Sequence, residues 1–238
     1  MKRNPEYIDL VDKFIQATEK GEFSMQELYQ NSDLLLLAGS ETVASTLSGA
    51  IFFLTTHKAS YDRLAAEVRG AFSQLSEINI RTINQRCPYL VAVLFESLRM
   101  YPPAPALLHR VVQPEGDMIA GRFVPGGTTV GINQVAIGRD PLNFRRADEF
   151  VPERWLKSAE SEEFRLDCRE AFMPFGDGPR NCVGKNLANM EIRSILAKLV
   201  WWFDMEIERE SLNWMDVQDV YMGWQKGPLM IKLRLAQK

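Results

Sequence analysis

The chain has 238 residues, 46% of them hydrophobic and 25% charged, with a formal net charge of −3. That length and balance describe an ordinary globular protein with room for a sizeable core, and they exclude a disordered chain. The mild acidity gives no reason to expect nucleic acid as a partner.

Helical apolar spacing over 5–18 predicts a first helix, stopped near Gly21. The tetrapeptide Ser24-Met25-Gln26-Glu27 is a capping box and starts a long helix, expected over about 25–57. Its stretch 34–54 has the length to span a bilayer. Glu41 and the many small and hydroxyl residues there favour a buried core helix instead. Further helices are expected over 59–75, over 81–86, and from Pro88 to about residue 101, ahead of Pro102 and Pro103. Short strands around 111–112, 118–120, 122–124 and 128–132 make small sheets across about 108–133, with Gly116, Gly121, Pro125, Gly126 and Gly127 between them. Residues 138–174 are rich in turn formers and charges and lack periodicity; a loop that long wraps something or serves a function. A glycine-rich loop, 175–184, precedes a helix at 185–203 with Leu187, Met190, Ile195, Leu196, Leu199 and Phe203 as its apolar stripe. Strands near 220–221 and 229–235 close the chain. No repeat or linker interrupts it, so the expectation is one domain over 1–238, mainly α with small antiparallel β-sheets. The first residues open no apolar run, so no signal peptide or N-terminal anchor is expected.

Cys87, Cys168 and Cys182 are far apart, and none belongs to a CxxC pair. This argues against a disulfide framework and a structural zinc site, and suits a reducing compartment. Cys182 stands apart because of its neighbours. Phe175, Gly178, Arg180, Cys182 and Gly184 fit a spaced pattern whose chance occurrence in a chain of this length is roughly one in ten thousand. The chemistry is coherent. A thiolate can be the axial ligand of a haem iron, and a helix start just beyond it favours an anionic sulfur. Gly178 and Gly184 let the backbone approach a flat ligand. Arg180 can reach a carboxylate with charge-assisted hydrogen bonds, and Phe175 can shield the sulfur.

At these residues the chain resembles the cytochrome P450 family of haem-thiolate monooxygenases. Further motifs follow in that family's order. Glu41 and Thr42 lie in the long helix after Ala38, Gly39 and Ser40. On their own they are ordinary helical residues; the resemblance implies that Thr42 is the oxygen-side hydroxyl and Glu41 its acidic neighbour. An acid and a hydroxyl after a glycine can also interrupt the helix and open a groove. Glu96 and Arg99 form an i, i+3 pair on a mostly apolar helix, so the pair is expected to be buried and to need further partners. The resemblance supplies Arg154, from Pro152-Glu153-Arg154-Trp155, as the third member of a structural triad. Trp155 stands where the family often has Phe. Arg110 is implied as a second propionate ligand beside Arg180.

By position alone, Leu35, Ala38, Ala106, Leu107, Leu108, Met222 and Trp224 are expected to line an apolar substrate pocket. The resemblance further implies haem b (iron protoporphyrin IX) held by Cys182, insertion of one oxygen atom from O2 into a lipophilic substrate, and electrons from an NADPH-dependent flavoprotein reductase, with cytochrome b5 as a second donor. Lys185, Arg193, Arg145 and Arg146 could face an acidic redox partner or be plain solvated surface. The resemblance covers about the C-terminal half of the family's usual length, the part without its membrane anchor and lid. The family's place is the endoplasmic reticulum membrane; without an anchor the expectation for this chain is cytoplasmic. The alternatives are a non-enzymatic haem-binding remnant, a peroxide-using relative and a cofactor-free helical interaction protein.

Overall fold

The computed structural model describes residues 10–237. The chain divides into two compact units that meet in sequence between Thr42 and Val43. In the first unit, α1 (Leu10–Glu19) ends at Gly21, whose φ of +76° suits glycine. There the Gly21 N–H donates to the Thr18 carbonyl at 3.0 Å and the Glu22 N–H to the Ala17 carbonyl at 2.9 Å, closing the helix end. Residues 5–9 of the expected helix lie outside the described residues. The capping box forms at the start of α2 (Met25–Thr56). The Ser24 N–H donates to Glu27 Oε2 at 2.8 Å, and the Glu27 N–H donates to Ser24 Oγ at 3.2 Å.

The early part of α2 departs from the expected buried core helix. Leu34, Leu36 and Leu37 are 61%, 73% and 57% exposed. By length and apolarity α2 could cross a membrane. Its later part, in the second unit, is the core helix the composition suggested. Ala50, Phe53 and Leu54 are buried with Leu64 and Val68 of α3 (Lys58–Ala71), Leu90 and Val93 of α5 (Pro88–Met100), and Leu196 and Val200 of α7 (Lys185–Trp202).

Several elements explain their own boundaries. α3 stops at Ala71, short of residue 75, because Phe72 turns extended and buries its ring. α4 (Ile80–Arg86) starts on an Asn79–Thr82 capping box. α5 has Pro88 in its first turn and no side-chain cap of its own. Glu67 of α3 does that work: its carboxylate accepts the Tyr89 and Leu90 N–H groups at 2.8 and 2.9 Å.

Among the described residues the sheets are four antiparallel pairs. β1 (Arg110–Val111) pairs with β4 (Thr129–Val130), and β2 (Asp117–Ile119) with β3 (Arg122–Val124). Ala120 and Gly121, both at positive φ, make the β2–β3 turn. After the short α6 (Gln134–Gly138), β5 (Phe203–Ile207) pairs with β8 (Ile231–Leu235), and β6 (Asp219–Val220) with β7 (Trp224–Gln225). This is the mainly helical architecture with small antiparallel sheets that the pattern implies.

Two expectations are corrected. Phe203 leaves the helix and opens β5, whose partner strand β8 lies far along the chain. The buried stripe of α7 is Ile192, Leu196, Ala197, Val200 and Trp201, while Leu187, Met190 and Ile195 are exposed. Helical spacing permits more than one apolar face, and the tertiary partners α3, α4 and α5 select this one.

Gly138 sits where α6 meets α5. A Cβ there would lie 2.5 Å from the Arg99 carbonyl oxygen, a backbone atom that cannot swing away. Gly138→Ala is expected to destabilise the chain by about 1–3 kcal/mol, read as a lower denaturant midpoint at unchanged slope.

Candidate active site

The long segment after α6 contains only short 3-10 turns, among them Pro152–Trp155, Ala159–Phe164 and Arg169–Ala171. What organises it is a carboxylate. Glu96 on α5 is fully buried, and so are Arg99 and Arg154. Glu96 Oε1 accepts from Arg99 Nη2 at 2.8 Å, the Val151 N–H at 2.8 Å and Arg154 Nε at 3.0 Å. Oε2 accepts from Arg99 Nε at 2.9 Å, Arg154 Nε at 3.1 Å and the Trp155 indole N–H at 2.8 Å.

The two guanidiniums then reach outward. Arg99 donates to the carbonyls of Gly138, Ala147 and Glu149. Arg154 donates to the carbonyls of Arg145 and Arg146, and to Asp167 Oδ2 at 2.6 Å. Two acids, Glu96 and Asp167, balance two bases, which is the condition for burying such charge. Phe164 lies 4.5 Å beneath the Arg154 guanidinium, and Phe144 5.4 Å from that of Arg99. Irregular backbone that has no ladder of its own thus finds donors for its carbonyls.

Asp167 and Trp155 are functional members of this network that sequence reasoning passed over. Asp167 is one acid among many in a charge-rich, aperiodic loop, with nothing to distinguish it. For Trp155 the sequence does offer a signal in its N–H, since a buried indole needs an acceptor.

The segment from Met173 leads into the cysteine loop. Gly176 and Gly178 stand at φ of +69° and +72°, in the left-handed region. The Cys182 N–H donates to the Phe175 carbonyl at 2.8 Å and closes the loop. Gly184 caps α7 two residues beyond Cys182; a Cβ there would meet Cys182 Sγ at 3.8 Å, an ordinary contact. Cys182 and Cys168 are free and exposed, and Cys87 is free and buried. Burial first, then the Glu67 charge, pushes the Cys87 thiol up to about 12, with Arg86 opposing. The Phe175 ring is half-buried, in a groove with Phe95, Phe172 and Met190.

Arg180 is exposed. Arg110 is exposed on β1 and donates to its own His109 carbonyl at 2.8 Å. A cleft of about 320 Å³ is lined by Arg110, Leu108 and Ile132 on one side and by Met173, Gly176 and Asp177 on the other. A soft sulfur donor, exposed cations and an apolar cleft beside the loop fit a flat, apolar, carboxylate-bearing iron complex. Haem b, which the resemblance implies, is a group of that description.

The other expected residues are placed as follows. Glu41 and Thr42 lie in α2, in the first unit. The helix runs through 38–42 without the expected interruption: the Thr42 hydroxyl donates to the Ala38 carbonyl at 2.6 Å, satisfying that acceptor while the helix continues. Leu35 is half-buried and Ala38 exposed. Ala106 is half-buried, Leu107 and Leu108 are 43% and 42% exposed, and Met222 is 82% exposed. Trp224 occupies a packing position. It stacks on Tyr101 at 4.4 Å and donates its indole N–H to the Pro102 carbonyl at 2.7 Å.

The family model for cytochrome P450 matches residues 2–233. The chain belongs to the cytochrome P450 family. It is 41% identical over 226 residues to the cytochrome P450 monooxygenase aclL of Aspergillus oryzae, covering 95% of this chain and 45% of the relative. It is 44% identical over 231 residues to the cytochrome P450 monooxygenase stcF of Emericella nidulans, covering 95% and 47%. It is 44% identical over 217 residues to the averantin hydroxylase of Dothistroma septosporum, covering 90% and 41%. The chain thus spans less than half the length of these curated P450 relatives.

Glu96→Gln leaves two buried guanidiniums undercompensated and is expected to cost about 3 kcal/mol or more. Trp155→Phe, which removes one donor to Glu96, is expected to cost about 1 kcal/mol. Equilibrium unfolding of both variants checks the ratio. Iodoacetamide at neutral pH is expected to modify Cys168 and Cys182 in the folded chain and to spare Cys87 until denaturant is added; mass mapping of the alkylated sites reads this out.

Proposed function

We propose that this chain carries the haem-binding part of a haem-thiolate monooxygenase, an enzyme that inserts one oxygen atom from O2 into a lipophilic organic substrate. The observation that carries this reading is Cys182: a free, exposed thiol in a loop closed on the Phe175 carbonyl, a loop whose Gly176 and Asp177 line a cleft with Arg110. The hydroxylase and monooxygenase names of the relatives support the reaction class.

In this reading, haem b, when bound, supplies the oxygen and one-electron chemistry. Cys182 would hold the iron through its sulfur. Arg180 and Arg110 offer charge-assisted donors to carboxylates. Gly178 and Gly184 leave the face of the loop without Cβ atoms, and Phe175 keeps water from the sulfur. Thr42 and Glu41 hold and pass protons on the oxygen side. The Thr42 hydroxyl can turn from the Ala38 carbonyl to another acceptor, because that carbonyl retains its helical partner. Glu96, Arg99 and Arg154 touch no substrate; they position the segment that presents Cys182. Within the first unit Leu35 and Ala38 supply apolar surface for the substrate, and within the second Ala106, Leu107, Leu108 and Met222 do.

Electrons come from an NADPH-dependent flavoprotein reductase, with cytochrome b5 as a second donor. Lys185 and Arg193 near the cysteine loop suit an acidic partner face. The proposed setting is the endoplasmic reticulum membrane for the full-length family member.

The test is the absorption spectrum of the chain supplied with hemin, reduced and exposed to carbon monoxide. A strongly red-shifted Soret band that disappears in Cys182→Ser is the expected result. A band typical of a nitrogen or neutral ligand, unchanged in Cys182→Ser, contradicts the reading.

A further inference from the structure

The turn Pro152–Trp155 supplies two donors to the Glu96 carboxylate, Arg154 and Trp155, and has no side-chain cap of its own. Its acid, Glu153, meets a second set of partners. The Tyr89 hydroxyl of α5 donates to Glu153 Oε1 at 2.9 Å, and Arg63 Nη1 of α3 donates to the same oxygen at 3.2 Å. The Arg63 guanidinium lies 4.3 Å from the centre of the Tyr89 ring, so it holds the acid and covers the phenol at once. One turn further along α3, Glu67 accepts the backbone N–H groups of Tyr89 and Leu90. Tyr89 is buried, and burial above all holds its phenol above the ordinary range, so it stays a donor.

Tyr89 and Glu96 are seven residues apart and share one face of α5. The turn is therefore fastened to that face at two points, about 10 Å apart along the helix axis. One fastening leaves a short segment free to pivot, and two fix its direction. On the far side of the turn, the ring centre of Trp155 lies 4.7 Å from that of Phe172 and 5.8 Å from that of Phe95. The Arg169 guanidinium, 5.9 Å from the Trp155 ring, donates to the Arg154 carbonyl. Phe172 stands three residues before Phe175, whose carbonyl receives the Cys182 N–H.

We infer that Tyr89 and Glu153 are positioning residues for the cysteine loop. Together they set the direction of the turn, the turn sets the Trp155 ring, and that ring seats Phe172 at the entrance of the loop. α3 takes part through Arg63, which holds Glu153, and Glu67, which holds the start of α5. The Glu96 cluster neutralises charge, and this junction aims the segment that the cluster ties down. Its bearing on iron rests on the haem-thiolate reading above.

The test is native-state hydrogen exchange of the full chain without haem. The reporters are the Trp155 indole N–H, bonded to Glu96, and the Cys182 N–H, bonded to Phe175. Tyr89→Phe and Glu153→Ala each remove a hydrogen bond to a charged group, and each is expected to speed both reporters by about tenfold. Glu153→Gln keeps an acceptor for Tyr89 and is expected to restore most of the protection. The double variant is expected to exchange no faster than Glu153→Ala alone, because both changes break one link. Arg63→Gln, on a partly exposed side chain, loosens the same oxygen and keeps the test decisive where a buried substitution fails to fold. A lower unfolding midpoint with both reporters as slow as in the native sequence overturns the inference. So does acceleration at Cys182 only in step with global unfolding, or additive effects in the double variant. With hemin and carbon monoxide, Tyr89→Phe is expected to lower the share of the red-shifted band at equal haem uptake. The exchange arm needs no haem, so it decides this inference even where the spectrum of the native chain overturns the haem-thiolate reading.

Discussion

Glu96 is fully buried, so its charge must be met by protein, and two guanidiniums and an indole meet it. Removing either guanidinium leaves buried charge uncompensated, which is far more costly than the pair is stabilising. Arg99 and Arg154 spend their remaining donors on the carbonyls of Gly138, Arg145, Arg146, Ala147 and Glu149. The path of the chain from α6 to the 3-10 turn at Pro152–Trp155 is therefore set by side-chain donors, in place of a helix or sheet ladder. Asp167 ties the next stretch to the same Arg154, and Arg169 donates to the Arg154 carbonyl at 2.7 Å. The cysteine loop begins a few residues later. A thiol at the end of an irregular segment can be held in one place only if that segment is held, and here one charge cluster does so.

The helices were legible because their signals are local. The Ser24–Glu27 capping box, Pro88, and the prolines after α5 mark their ends within a few residues of where they lie. The cysteine loop was legible for another reason: glycines at positive φ and a cysteine at fixed spacing are demands of a site and leave a trace in residue type. Burial of the Glu96–Arg99 pair could be argued from the apolar residues around it. Asp167 could not, because its partner lies on a different turn and only the folded loop brings them together. β5 was hidden for the same reason. Its ladder partner is distant in sequence, and Phe203 continues a helical apolar rhythm until the pairing with Leu235 takes it into a strand. The exposed stripe of α7 shows the limit of periodicity, which identifies an amphipathic helix without saying which apolar residues meet the core.

The residues with chemistry lie at the ends of rigid elements. Cys182 stands just before α7, whose far face is locked into the core by Ile192, Leu196 and Val200. Arg110 stands on β1, pinned by its pairing with Val130. Function placed on loops and braced by helices is the usual economy of such folds. It also explains why the Glu96 cluster matters to the proposed chemistry without taking part in it: the cluster sets where the thiol is, and the thiol decides which ligand the iron receives.

The measurement that tests this account most directly is the iron K-edge absorption fine structure of the chain reconstituted with hemin, compared with that of Cys182→Ser. The account predicts a sulfur neighbour in the first shell of iron in the native sequence, absent from the variant. Identical spectra with only nitrogen and oxygen neighbours would show that the loop does not deliver Cys182 to iron, and would contradict the central claim.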